Sequence, residues 1–169
     1  RQMPLQNVIH GDIKPGNIFV HHDSTCRLGS FGLSCSISGA FSQTRLAVSG
    51  GTPAYMSPEH TTRTQRAVDC RSDLYSLGIV LYELLTGRLP FDLGESEQTN
   101  WAHYHIASEP LSPAVLRPDV PDMLSTIILK LLEKQPDNRY QTVDGLIADL
   151  RRCQATLTSE GEIVAFTPG

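Results

Sequence analysis

A mainly α-helical fold with short β-hairpins is predicted for this chain by three observations. Leu77, Val80, Leu81, Leu84 and Leu85 recur at helical spacing. The first third, up to about Pro58, is rich in Gly, Ser and short β-prone runs, whereas the remainder alternates helical periodicity with Pro-rich connections. Two of the β-prone runs, residues 17–20 and 26–28, flank a stretch from His21 to Thr25 whose Asp and Ser favour a turn, which makes a small hairpin.

The apolar stripe from Leu77 belongs to a helix over 72–85, with Ser72 able to cap its start and Gly87 and Pro90 marking its end. It is apolar on most faces, which predicts a central, buried helix. Further helices are expected over 97–107, 122–133 and 142–154, each introduced or stopped by Pro, Ser, Thr or Asp. After Cys153 the chain turns polar. Residues 1–155 therefore read as one domain, and 156–169 as a linker or tail outside the core. There is no internal repeat.

Composition narrows the function classes. At 169 residues, 40% hydrophobic and 19% charged, the chain is large enough to bury one core. Its net charge of -4 is modest and its 14 Lys and Arg are scattered, so no basic stripe calls for nucleic acid. The longest apolar stretch, 77–85, is interrupted by Glu83 and falls far short of the ~20 residues of a membrane span. Cys26, Cys35, Cys70 and Cys153 include no CxxC pair, which argues against zinc and is compatible with reduced thiols in a cytoplasmic setting. His103 and His105 lie two positions apart on an expected helix and so face different sides, a poor arrangement for a metal. The opening at Arg1, without an initiator Met or an apolar leader, reads as an internal piece of a longer protein.

The chemistry is concentrated in His10-Gly11-Asp12-Ile13-Lys14-Pro15-Gly16-Asn17-Ile18, just before a strand. Phosphoryl transfer needs such a set. An Asp can orient the attacking hydroxyl and accept its proton, a Lys can neutralise the transferring phosphoryl group, and an Asn can hold a metal through its carbonyl oxygen. This stretch resembles the catalytic loop of protein kinases, and Lys14 with Pro15 its serine/threonine-specific form. Three further landmarks follow in family order: Ser30-Phe31-Gly32 where kinases carry Asp-Phe-Gly, Gly51-Thr52-Pro53 through Ser57-Pro58-Glu59 at the end of the activation segment, and Arg71-Ser72-Asp73 at the start of the anchoring helix.

The chain is thus identified as resembling a eukaryotic-type serine/threonine protein kinase domain over about nine-tenths of its length, with a protein-kinase-like fold of which only the C-terminal helical lobe is present. The resemblance implies ATP and Mg²⁺ as cofactors, with Asp12, Lys14, Asn17 and Thr52 catalytic, Lys14, Asn17, Phe19 and Ser30 toward the nucleotide, and Asn17 toward the metal. It implies that Glu59 pairs with Arg139, that Asp73 accepts hydrogen bonds from the backbone around His10, that His10 stacks on Phe31, and that Thr52 bonds Asp12 and Lys14. The expected partners are a protein substrate or signalling partner and other domains of the same chain. Together with the tail, the stretches 57–61 and 101–106 resemble large hybrid proteins in which a kinase-like domain precedes an ATPase module and a sensor histidine kinase.

Two departures from the family pattern bear on activity. Ser30 stands where the family has the metal-binding Asp, and a neutral hydroxyl is a poor ligand for a hard dication. Asp23, the nearest other acid, lies in the hairpin turn and is not expected to compensate. Gly11 replaces the Arg that would pair with a phosphorylated activation segment, so phosphorylation at Ser42, Thr44 or Ser49 is not the expected switch. The alternative to an active kinase is therefore a pseudokinase, a regulatory or protein-binding module in signal transduction.

Overall fold

The computed structural model describes residues 8–33, 35–36, 52–61, 63–64, 66–91 and 101–169. Ser42, Thr44 and Ser49, and the first residues of the helix expected from 97, lie outside the described residues.

Two small antiparallel sheets precede the helices. Strand β1 (Val8–Ile9) pairs with β4 (Cys35–Ser36), Val8 opposite Ser36. Between them β2 (Ile18–Val20) pairs with β3 (Cys26–Leu28), Phe19 opposite Arg27, which is the hairpin expected from sequence. Ser24 turns it at φ 65°, and Asp23 Oδ1 accepts from the Thr25 backbone and hydroxyl.

Helix α1 (Cys70–Thr86) is the spine. Its N-cap is Asp69 rather than Ser72: the Asp69 carboxylate accepts from the Arg71 amide, and Ser72, at the third helical position, closes the capping box. Gly87 ends it in the left-handed region, φ 73°, where a glycine carries no steric penalty. Leu74, Tyr75, Ile79, Val80 and Tyr82 are buried, but Leu84 is 69% exposed, so the helix is less uniformly central than its composition predicts.

The remaining helices are α2 (Trp101–Ala107), α3 (Pro113–Leu116), α4 (Asp122–Leu131) and α5 (Val143–Glu160). Helices α1 and α4 meet closely at Gly78, where an added methyl would lie 2.8 Å from Leu131 Cβ. Around this crossing are two apolar groups. Leu74, Met123, Ile127, Leu131, Tyr140, Leu146 and Cys153 fill one side, and Tyr75, Ile79, Tyr82, Phe91, Ile128 and Leu132 the other.

The C-terminal end differs from the sequence expectation. Helix α5, capped by Thr142 on the Gly145 amide, runs on to Glu160 instead of stopping near 154, and Gly161 closes it at φ 77°. In its polar last turns Thr156, Thr158 and Ser159 return their hydroxyls to carbonyls three and four residues back, which satisfies those side chains along the helix itself. Residues 161–169, expected to lie outside the core, fold back on it. Ile163 and Phe166 pack against the Met123 side of the core, the Arg152 guanidinium lies 4.3 Å from the Phe166 ring centroid, and Lys130 Nζ donates to the Pro168 carbonyl at 3.0 Å.

Candidate active site

The site is built on the loop between β1 and β2, and α1 holds that loop from below. Asp73, in the first turn of α1, accepts from the His10 amide at 2.7 Å and from the Gly11 amide at 2.9 Å, one bond to each carboxylate oxygen. Gly11 sits at φ 78°, a left-handed conformation that disfavours any residue with a Cβ. The glycine thus presents its amide to Asp73, a backbone role hidden when it is read only as a missing arginine. Burial lifts the Asp73 carboxyl above its ordinary range, with the two amides opposing that rise.

His10 is buried and fixed at both ring nitrogens. Nε2 lies 2.7 Å from the Gly29 carbonyl and can only donate there, so Nδ1 is the acceptor for the Asp12 amide at 3.2 Å. Its ring meets Phe31 edge-on, centroids 4.8 Å apart.

Asp12, Lys14, Asn17 and Thr52 converge. Lys14 Nζ lies 2.9 Å from Asp12 Oδ2 and donates to Thr52 Oγ1 at 2.7 Å, while the Thr52 amide donates to Asp12 Oδ1 at 3.2 Å. Asn17, buried at the end of the short 3₁₀ turn Pro15–Asn17, spends both side-chain N–H groups on Asp12, one on the backbone carbonyl and one on Oδ2. Burial pulls the Asp12 carboxyl upward, but hydrogen bonds from Lys14, Thr52 and Asn17 and the Lys14 charge outweigh it and hold the group below the usual carboxylate range. Asp12 is therefore an ionised, oriented acceptor at neutral pH. Lys14 keeps one N–H of its three for an incoming anion.

Ser30 occupies the left-handed region, φ 61°, at an exposed position beyond Gly29. Phe19 is 58% exposed, its ring lying against Gly29, and Phe31 is 54% exposed. Asp23 is held in the distal turn by Thr25 and His21, apart from this cluster.

The metal donor set is thin. With its N–H groups committed, Asn17 offers its carbonyl oxygen, and Ser30 offers a hydroxyl, so Asp12 is the one anionic oxygen donor in the cluster. That does not match the preference of Mg²⁺ for anionic oxygen. Among the described residues no group of three His, Cys, Asp or Glu could hold a metal ion.

Behind the site, Glu59 and Arg139 form a buried, two-pronged ion pair at 2.7 and 2.9 Å. Ser72 Oγ also donates to Glu59, and Arg139 donates to the Glu133, Arg71 and Lys134 carbonyls. Burial pulls the Glu59 carboxyl up, but Arg139 and Ser72 more than reverse it. Tyr55 donates to Glu83 at 2.6 Å, which ties the Pro53–Tyr55 turn to α1.

Two histidines that sequence reasoning did not single out as supports stand beside this frame. His105, buried between Trp101, Phe91 and Tyr75, lies 2.9 Å from the Pro53 carbonyl and 3.1 Å from the Tyr75 hydroxyl. Burial pushes its ring down to about 4, so it acts as a neutral tether for the turn that follows Thr52. His103 is exposed, so the two do face different sides of α2. His60, also buried, lies 2.8 Å from Ser57 Oγ. Nothing in a single sequence separates such tethers from surface histidines, because their burial depends on distant elements.

Residues 3–149 match the protein kinase domain family. The chain is 40% identical over 145 residues to the serine/threonine-protein kinase PknB of Mycobacterium leprae and 41% identical over 146 residues to PknB of Mycolicibacterium smegmatis, in each case over 86% of this chain and 23% of the relative. It is also 39% identical over 147 residues to a probable serine/threonine-protein kinase of Streptomyces coelicolor, over 86% of this chain and 21% of the relative. The chain thus spans less than a quarter of the length of these relatives. It belongs to the protein kinase domain family, in its eukaryotic-type serine/threonine form.

Proposed function

We propose that this chain is the C-terminal lobe of a serine/threonine kinase domain and supplies the catalytic-loop half of an ATP-dependent site that phosphorylates Ser or Thr hydroxyls of protein substrates. The observation that carries the reading is the mutual bonding of Asp12, Lys14, Asn17 and Thr52 on one surface. In it Asp12 orients the substrate hydroxyl and accepts its proton late in transfer, Lys14 places its remaining N–H on the transferring phosphoryl oxygen, and Thr52 holds both in register. Asn17 fixes the Asp12 carboxylate from behind. The exposed ring of Phe19 offers an apolar face toward the nucleotide base.

Mg²⁺ supplies charge neutralisation at the phosphates in this family, and Ser30 leaves that contribution weakened; no step above depends on it. The domain proposed here reaches at least Glu160, because α5 is continuous to that residue. Its partners are a protein substrate or signalling partner and other domains of the same chain, in the cytoplasm.

Ser30 also favours a second reading, a pseudokinase whose lobe binds or regulates rather than transfers. The deciding experiment measures phosphotransfer and nucleotide binding, with and without Mg²⁺, for the full-length protein, Asp12→Asn and Ser30→Asp. The kinase reading expects Asp12→Asn to lower turnover by at least about 100-fold, and Ser30→Asp to raise Mg²⁺-dependent turnover. A full-length protein with no turnover, signalling unchanged by Asp12→Asn, makes it a pseudokinase. Residues 1–169 alone are expected to show negligible turnover, since the ATP groove lies between two lobes.

A further inference from the structure

Beside the catalytic loop is a cavity of about 10 Å³, lined by residues 11–13, Thr52, Tyr55, Met56, His60 and Ser76. That is about the space one water needs, provided that two or more polar groups receive it. His60 is 5% exposed. Its Nδ1 is engaged with Ser57 Oγ, whereas Nε2, shut off from solvent, meets no hydrogen-bond partner among the described residues. A buried ring nitrogen in that state is costly, and folded proteins satisfy such atoms with protein groups or with ordered water. Ser76 Oγ spends its hydrogen on the Ser72 carbonyl at 3.2 Å, which leaves its oxygen able to accept.

Burial, more than the surrounding charges, keeps the imidazole neutral. Burial lowers its proton affinity, Glu59 and Asp73 act in the opposite sense, and Arg139 reinforces the burial. A neutral ring with Nδ1 on Ser57 keeps Nε2 for a single hydrogen bond.

We propose that this cavity holds one ordered water joining His60 Nε2 to Ser76 Oγ and to the backbone of residues 11–13, which makes His60 a positioning residue for Asp12. The link runs from the Pro58–Thr61 turn, through the water, to the loop that carries the carboxylate. His60 touches no reacting atom. It acts by holding the loop at the height at which Asp73 and Thr52 can bond it. This rests on the reading of Asp12 as the reacting carboxylate, but the device itself is a statement about backbone order and can be tested without turnover.

Amide hydrogen exchange, followed by mass spectrometry on the full-length protein, is measured for the native sequence, His60→Leu and His60→Gln. Leu keeps the bulk and removes the ring nitrogen, while Gln retains a hydrogen-bonding group. The expected result is that exchange over residues 10–13 quickens about tenfold in His60→Leu and stays near native in His60→Gln, with α1 and α4 unchanged in both. Equal effects in both variants, or no effect in either, overturn the proposal, because packing alone or nothing then connects His60 to the loop. If His60→Leu does not fold, a high-resolution crystal structure of the native protein decides. A water within about 3.2 Å of Nε2 supports the device, and an empty cavity, or Nε2 bonded to a protein group, overturns it. A protein inactive in phosphotransfer that still shows the exchange pattern refutes the kinase reading and leaves the device standing.

Discussion

The Arg139 guanidinium meets the Glu59 carboxylate through hydrogen bonds of 2.7 and 2.9 Å, across 80 positions of sequence, with both side chains essentially out of water. The pair joins the turn after the candidate site to the segment that leads into α5. Breaking one side strands a buried charge. Arg139→Ala is expected to lower stability by about 3–5 kcal/mol, whereas replacing both residues by apolar ones of similar volume costs less than that single change. Urea unfolding of the single and double variants checks the order. The pH sign follows from Glu59, whose carboxyl is held below its ordinary value of 4.5. A depressed acid contributes stability that is present above that value and is lost as pH falls through the folded pKa. The native protein should therefore lose stability in this acid window more steeply than Glu59→Gln does.

Gly78 of α1 lies against the end of α4, and the space for a side chain there is absent. A methyl would lie 2.8 Å from Leu131 Cβ and 3.1 Å from Leu132 Cδ2. Gly78→Ala gains helix propensity of about 1 kcal/mol, but it forces the two helices apart at a cost of about 1–3 kcal/mol. The net expectation is a destabilised protein with a lower Tm. A raised Tm would show that the crossing can yield.

The legible parts of the fold were those in which a local pattern is long enough to repeat. The Leu77, Val80, Leu81 and Leu84 periodicity located α1, and the two β-prone runs located the β2 and β3 hairpin. The cap of α1 was misplaced from Asp69 to Ser72 because both residues share one capping box, in which either can look like the first. The pairing of β1 with β4 involves two residues a strand, too few for alternation to register. The converging side chains of the site were legible because they sit within a single loop, apart from Thr52. The supporting roles of His60 and His105 depend on burial by elements far along the chain, and polarity alone conceals it.

The tail reads as a linker in the sequence because it is polar and short, yet two of its apolar residues face inward while Leu157 and Val164 stay exposed. Ile163 and Phe166 pack on the core, and the Phe166 amide lies 3.4 Å from Met123 Sδ. Removing residues 162–169 is expected to cost about 2 kcal/mol, on the order of two half-buried apolar side chains. Thermal unfolding reads this as a lower Tm, whereas a linker that merely trails from α5 would leave the Tm unchanged.

Lys134 supplies the last expectation. Its Nζ is shut off from solvent, has no hydrogen-bond partner among the described residues, and lies 4.5 Å from the Phe91 ring centroid. Burial pushes the ammonium down to about 8 from an ordinary 10.5, with Glu109 opposing, Arg139 reinforcing and Glu133 opposing. Between those two values the folded chain binds fewer protons at this site than the unfolded chain does, so stability rises with pH across that window. Lys134→Met keeps the stem, removes the buried charge, and forfeits a cation–ring attraction of only about 0.5–1 kcal/mol. The variant should be at least as stable as the native protein near pH 7 and should lack the alkaline rise. Urea midpoints at neutral pH and near pH 10 test both parts. A variant clearly less stable at neutral pH would mean that the ammonium is held by a partner after all.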